Sequence, residues 1–285
     1  MTEPQQPRAQ RMRLGAELRR LRMLGGLSGR EVSRRTGISQ ANVSRIENGQ
    51  IVPSLPQVRA WAKAVEAAGS AGQLAAMTEA ALNEVTTFRD RLRDGLAPVQ
   101  QDVRELESTT TTLRNFQPGI VPGLLQTADY ARHVLGLAHT TPPGDIAPAV
   151  AARLERQAII ADPSRRFEWI MTESALRWAP VSAEPGMLAA QMDRLMVIAG
   201  LANAAVGVIP LGAPMKAIPR CGFVIYDERH PGYQPFVIVE TPHAAVYVSD
   251  PADVDVYREQ LAALRQSALF GSDALAAIRA AAEAL

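Results

Sequence analysis

Gln40 and Arg45 are the side chains of this 285-residue chain whose chemistry is most specific. A glutamine amide matches the donor–acceptor edge of adenine, and a guanidinium matches N7 and O6 of guanine. At 100° per residue, Gln40, Ala41, Ser44, Arg45 and Asn48 fall on one arc of a helix over residues 39–48. Asn42, Val43 and Ile46 fall on the other arc. Val43 and Ile46 are therefore expected to pack inward, leaving a polar outer arc suited to contact base edges. A solvated polar face on a small helical bundle would have the same arc. Caps, periodicity and charge together favour base contact.

The elements that must hold this helix are legible on either side of it. Ser28 can cap a preceding helix while Glu31, three residues on, reaches back, which is a capping box. Gly37 stands where that helix must turn, Ser39 can cap the next, and Gly49 ends it. Two short helices joined by a tight turn are a helix-turn-helix, whose second helix enters the major groove of DNA. Leu14, Leu18 and Leu21 repeat at helical spacing over residues 14–24. A further helix is expected to carry Leu55, Val58, Trp61, Ala62 and Val65.

Residues 14–66 resemble the lambda-repressor/Cro-like (XRE) DNA-binding domain, most closely in the run Gly-Ile-Ser-Gln-Ala-Asn-Val-Ser-Arg-Ile-Glu-Asn-Gly at 37–49. The resemblance implies an all-α head of five helices and a structural pair between Arg22, late in helix one, and Glu47, late in helix three. It also implies phosphate contacts at the start of helix two. There this chain has Gly29, which offers only its backbone N–H, so Ser28 and Arg30 must supply more of the grip, together with Ser39.

Charge is distributed unevenly. Residues 1–68 hold twelve Arg or Lys and five Asp or Glu, a net of +7, and the remainder carries −6 within a total of +1. A basic head on an acidic body directs a polyanion to one end. One cysteine, Cys221, excludes an internal disulfide and fits a reducing cytoplasm; a buried structural thiol is the expectation for it. No apolar run reaches a membrane span, and the Gln-, Arg- and Pro-rich residues 1–10 read as a disordered arm.

The organisation expected is multidomain. The arm is followed by a helix-turn-helix head over residues 11–68, a helical connector over 69–108 and an α/β or α+β body over 109–285. Within the connector, helices are expected over 72–94 and 98–107, broken at Gly95. In the body, strands are expected at 109–116, 167–172, 206–210, 222–226, 236–240 and 245–248, the last three paired antiparallel. Helices are expected at 145–161, 185–203, 252–270 and 272–284, with another opening at Gln126 or Thr127 after a rigid turn made by two Pro-Gly pairs.

The body runs Phe-Gln-Pro-Gly-Ile-Val-Pro-Gly-Leu-Leu-Gln-Thr-Ala-Asp-Tyr-Ala-Arg from 116, Arg-Leu-Glu-Arg-Gln from 153 and Glu-Ser-Ala-Leu-Arg-Trp from 173. These segments are similar to the C-terminal domain of antitoxin-like helix-turn-helix regulators of filamentous, GC-rich bacteria. That resemblance implies transcription control, with a body that senses a small molecule or binds a small acidic partner protein. In the alternative it implies, holding the partner is the main task and DNA binding only autoregulates.

Catalytic signatures are missing. His133, His139, His230 and His243 lack metal-ligand spacing, one cysteine cannot build a zinc cluster, and no phosphate loop or nucleophile elbow occurs. No cofactor, no metal and no enzyme activity are expected. Glu173, Arg177 and Trp178 are a candidate pocket with Glu240 and Tyr247; paired surface charges beside a core tryptophan are the alternative. The partners expected are an operator in double-stranded DNA and a second copy of the chain, because one head of this size makes a small interface.

Overall fold

The computed structural model describes residues 9–92, 95–137, 146–179, 186–229 and 233–284. Five helices make the head: α1 Ala9–Leu24, α2 Gly29–Thr36, α3 Gln40–Glu47, α4 Leu55–Ala64 and α5 Ala71–Leu82. They bury one apolar core. Leu14, Leu18 and Leu21 of α1 meet Val32, Val43 and Ile46 of the helix pair, Val58 and Trp61 of α4, and Leu74, Ala81 and Leu82 of α5. Of the arm expected over 1–10, Ala9 and Gln10 already belong to α1, and the rest lies outside the described residues.

The helix expected over 72–94 is corrected. It ends at Leu82, and the chain continues directly as strand β1, Asn83–Thr87, before the short helix α6, Phe88–Arg91. The half of the connector that forms α5 is thus packed in the head's core, and the next five residues are an edge strand of the body's sheet. Asn83, at the α5–β1 junction, pairs with Val248. The Ser249 N–H and hydroxyl both donate to the Leu82 carbonyl, at 2.8 and 3.0 Å. No flexible linker separates head from body here.

Helix α7, Leu96–Ser108, leads into β2, Thr110–Gln117. The body continues through α8 Ala128–Gly136, α9 Ile146–Arg156, β3 Arg166–Thr172, α10 Glu173–Arg177, α11 Met187–Ala199 and β4 Ala204–Ile209. It closes with β5 Phe223–Arg229, β6 Phe236–Glu240, β7 Ala244–Val248, α12 Pro251–Arg265 and α13 Gly271–Glu283. Among the described residues seven strands form one mixed sheet in the order β1-β7-β6-β5-β2-β3-β4. β2, β3 and β4 run parallel, and the pairs β1–β7, β7–β6, β6–β5 and β5–β2 are antiparallel.

Side chains alternate across this sheet as the pleat requires. Phe167, Trp169, Met171, Val206, Val208, Tyr226 and Ile238 face a core closed by α8, α10, α11 and α13. Phe116, Ile170, Ile209, Ile225, Val237 and Val239 face the other core, closed by Val254, Leu261 and Leu264 of α12. Both faces of the central strands are covered, which is why they read as continuous apolar runs.

Candidate nucleic-acid interface

The capping box that opens α2 is fully formed. The Glu31 N–H donates to the Ser28 hydroxyl at 3.2 Å, and the Ser28 N–H donates to the Glu31 carboxylate at 2.7 Å. Donation from the Ser28 N–H, and from its hydroxyl, holds the Glu31 carboxyl below its usual range. Gly37 ends the helix in the left-handed region at φ 76°, where a side chain would be strained. The Ser39 hydroxyl then caps α3 by accepting the Asn42 N–H at 3.3 Å.

On α3, Val43 and Ile46 are buried, while Gln40, Ala41, Ser44 and Asn48 are exposed. Arg45 is half-buried and donates to the Asn42 side-chain carbonyl at 3.4 Å. Asn48 caps the helix, and Gly49 follows at φ 64°. At the start of α2, Ser28 and Arg30 are exposed and Gly29 is half-buried. A Cβ on Gly29 would meet only the Val43 Cγ1, at an ordinary 3.6 Å.

Arg22 forms a two-pronged bond with Glu47, Nε to Oε1 at 2.5 Å and Nη2 to Oε2 at 2.9 Å, and Nη1 donates to the Leu27 carbonyl at 2.9 Å. One guanidinium thereby joins the end of α1, the entry to α2 and the end of α3. Bonding to Glu47 raises the affinity of Arg22 for its proton. Gly15 is a feature that spacing arguments do not find. A Cβ there would lie 2.5 Å from the Ile46 carbonyl oxygen, so only glycine lets α1 approach the recognition helix this closely.

The body's sequence segments converge on a buried polar cluster. Arg156 makes a fork with Glu107, at 3.0 and 2.6 Å, and donates to Gln100 at 2.6 Å. Arg153 donates to Gln100 and to Gln126, and Gln126 donates to the Val121 carbonyl. The Tyr130 hydroxyl accepts the Val121 N–H at 3.2 Å, so the Pro-Gly segment is tied to α8 as well as to α9. Burial lowers Arg153 to about 10, with Arg156 beside it acting in the same direction, and burial pushes Glu107 up against the opposing pull of Arg156. These residues bond one another, which makes the cluster a structural lock between α7, α9 and the Pro-Gly segment.

The residues grouped as a candidate pocket fall in two places. Glu173 and Arg177 pair on the exposed side of α10 at 2.9 Å, and the Leu211 N–H also donates to Glu173. Trp178 packs edge-on against Tyr130. Glu240 and Tyr247 lie on β6 and β7, with β5 and β2 between β6 and β3. Three strand spacings, about 14 Å, therefore separate the two sets. Tyr247 instead lines a cavity of about 430 Å³ between head and body, and Glu240 pairs with Arg91, another residue of that cavity. Cys221 is half-buried against the α12 core. Among the described residues no cluster of His, Cys, Asp and Glu could hold a metal ion, and no helix is long and apolar enough to cross a membrane.

Comparison with known families divides the chain in two. Residues 13–75 match a helix-turn-helix domain, and residues 100–280 match a domain of unknown function, DUF5753. The first match ends inside α5, and the second begins inside α7. No curated protein matches the chain.

Proposed function

From a chain that belongs to the family of the domain of unknown function DUF5753 and carries a helix-turn-helix domain ahead of it, we propose a sequence-specific transcriptional regulator acting in the cytoplasm. In this reading α3 enters the major groove. Gln40, Ala41, Ser44, Arg45 and Asn48 meet base edges, while Ser28, Gly29, Arg30 and Ser39 meet phosphates. The observation that carries it is the outer arc of α3: small and amide side chains stand exposed there, over a buried Val43 and Ile46, in a head of net charge +7. The helix is held by two caps and the Arg22 fork, so its backbone needs no ordering at binding.

A single head makes too small an interface for tight specific binding, so two copies of the chain act together on an inverted repeat. Their recognition helices then stand about one helical turn, roughly 34 Å, apart. The body takes an effector and passes its state to the head through α5 and β1. Selection of duplexes bound by the purified chain from a random pool tests the reading. The expected result is enrichment of an inverted repeat with half-sites about one turn apart. A pool that stays random through repeated rounds contradicts it.

A further inference from the structure

The cavity between head and body has walls from three sources: the head's α1 and the residues that follow α3, the face of α7, and the sheet at β5–β7. Its volume, about 430 Å³, lies in the roughly 300–1,000 Å³ range of small-molecule sites. The wall carries both signs of charge, with Arg11, Arg91 and Arg229 facing Asp102 and Glu105. Two of the cations are engaged within the fold, Arg91 with Glu240 at 3.1 Å and Arg11 with the Ser249 hydroxyl at 3.3 Å. Glu105 is exposed to solvent. Arg229 and Asp102 are the informative groups, and they stand at opposite ends.

The Arg229 guanidinium is clamped between two rings, 4.7 Å from the Tyr233 centroid and 4.9 Å from that of Phe236. It donates to the Thr109 hydroxyl at 2.5 Å and the Gln234 carbonyl at 3.1 Å, and no carboxylate pairs with it among the described residues. Burial, with Arg11 beside it, lowers Arg229 to about 10. Asp102 is half-buried on α7, near Tyr247. Among the described residues nothing donates a hydrogen bond to its carboxylate; the charges that act on it are Glu105 and Arg91. Asp102 and Leu106 share one face of α7 with Thr109, its C-cap, seven residues beyond Asp102. The two charged ends of the cavity are therefore about 10 Å apart along the helix.

A simple anion at Arg229 leaves Asp102 uncompensated, and a simple cation at Asp102 does the same to Arg229. A molecule with both charges satisfies both ends at once. Taking a hydrogen-bond length from each end of that span leaves about 5 Å, more than an α-amino acid covers and close to an extended dipeptide. We propose that this cavity binds a short apolar peptide with free termini, its ammonium at Asp102 and its carboxylate at Arg229. The peptide's side chains lie along Leu106, Phe236 and Tyr247. Gly49 and Gln50, which follow the recognition helix, belong to the same wall, so the peptide touches the head beside α3 as well as the sheet. The effect on DNA rests on the regulator reading; the site itself does not. By linkage, peptide and operator must change each other's affinity by one common factor.

The test is calorimetric titration of the full chain at neutral pH with leucyl-phenylalanine, its N-acetyl derivative and its C-terminal amide. The free dipeptide is expected to bind one site per chain, and blocking either end to weaken it about tenfold or more. Each of two substitutions should then erase one difference and keep the other. With Asp102→Asn the free and N-acetylated forms bind alike while the amide stays weaker. With Arg229→Gln the free and amidated forms bind alike while the N-acetylated form stays weaker. Arg220→Gln, at an exposed position outside the cavity, changes nothing. Should Arg229→Gln fail to fold, Asp102→Asn carries the test, because it only removes a half-buried charge. Failure of the dipeptide to bind, or end-dependence that survives the substitutions, overturns the site. DNA binding is measured separately on the same samples. DNA recognition without peptide binding sinks the site and leaves the regulator reading, whereas peptide binding without DNA recognition does the reverse.

Discussion

The head and the body solve the burial problem differently. Apart from Thr78, whose hydroxyl donates to the Leu74 carbonyl, the fully buried side chains of the head are apolar, and its polar groups act at helix ends. The body buries Gln100, Glu107, Gln126, Arg156 and Gln191 beneath its helices and satisfies them with one another and with backbone carbonyls. An apolar core tolerates the loss of a polar contact at its edge. A buried polar lock does not, because each partner removed strands another. The head is therefore a robust platform for α3, and the body is built so that α7, α9 and the Pro-Gly segment keep one arrangement.

The contrast is sharpest in two ion pairs. Glu107→Ala strands the Arg156 guanidinium in the interior and is expected to destabilise the body by about 3–5 kcal/mol in urea unfolding. Glu47→Ala releases Arg22 near solvent, where it keeps the Leu27 carbonyl, and is expected to remove about 1–3 kcal/mol from the head. Equal losses at the two sites would erase the distinction between them.

Asp102 lies in the wall between the halves, and its response to pH is the next test. Burial, with Glu105 beside it, raises its carboxyl to about 6 from the ordinary aspartate range. A raised acid binds its proton more tightly in the folded chain, so its stabilising contribution is present below about pH 4 and is lost as pH rises through 6. Asp102→Asn is expected to stabilise the chain at pH 7 by about 1–2 kcal/mol, a figure discounted for the water that reaches the half-buried side chain. It should also flatten the stability profile between pH 4 and 6. An unchanged profile contradicts the burial argument. The smallest effect is expected in the head. Gly29→Ala fits beside Val43 and should stabilise it by about 0.4–1 kcal/mol through the unfolded chain. Destabilisation would mean that α2 needs the glycine.

The same contrast explains what was legible in the sequence. Caps act within three or four residues, so Ser28, Glu31, Gly37 and Ser39 announce α2 and α3 directly. The late strands were legible because they pair as neighbours and read as short apolar, β-branched runs bounded by turn residues, with β6 at Phe236–Glu240 as expected. Strand β1 was not. Its inward positions are Glu84 and Thr86, and Val85 is 61% exposed, so its pattern is inverted and merges with the Ala-rich helix before it. The buried cluster joins Gln100 and Glu107 to Arg156 across about fifty residues, a pairing that no local period encodes. Gly15 was invisible for a similar reason, since the atom it accommodates belongs to Ile46.

In the proposed function Arg45 reads a base while Arg30 grips the backbone. The direct measurement is the affinity of the wild type, Arg45→Ala and Arg30→Ala for a selected duplex and for the same duplex with one guanine replaced, over a range of salt. Arg45→Ala is expected to lose about 1–3 kcal/mol on the selected duplex and to stop distinguishing the two. Arg30→Ala should weaken both duplexes equally and lower the salt slope by about one. Equal, sequence-blind losses from both substitutions would contradict the account.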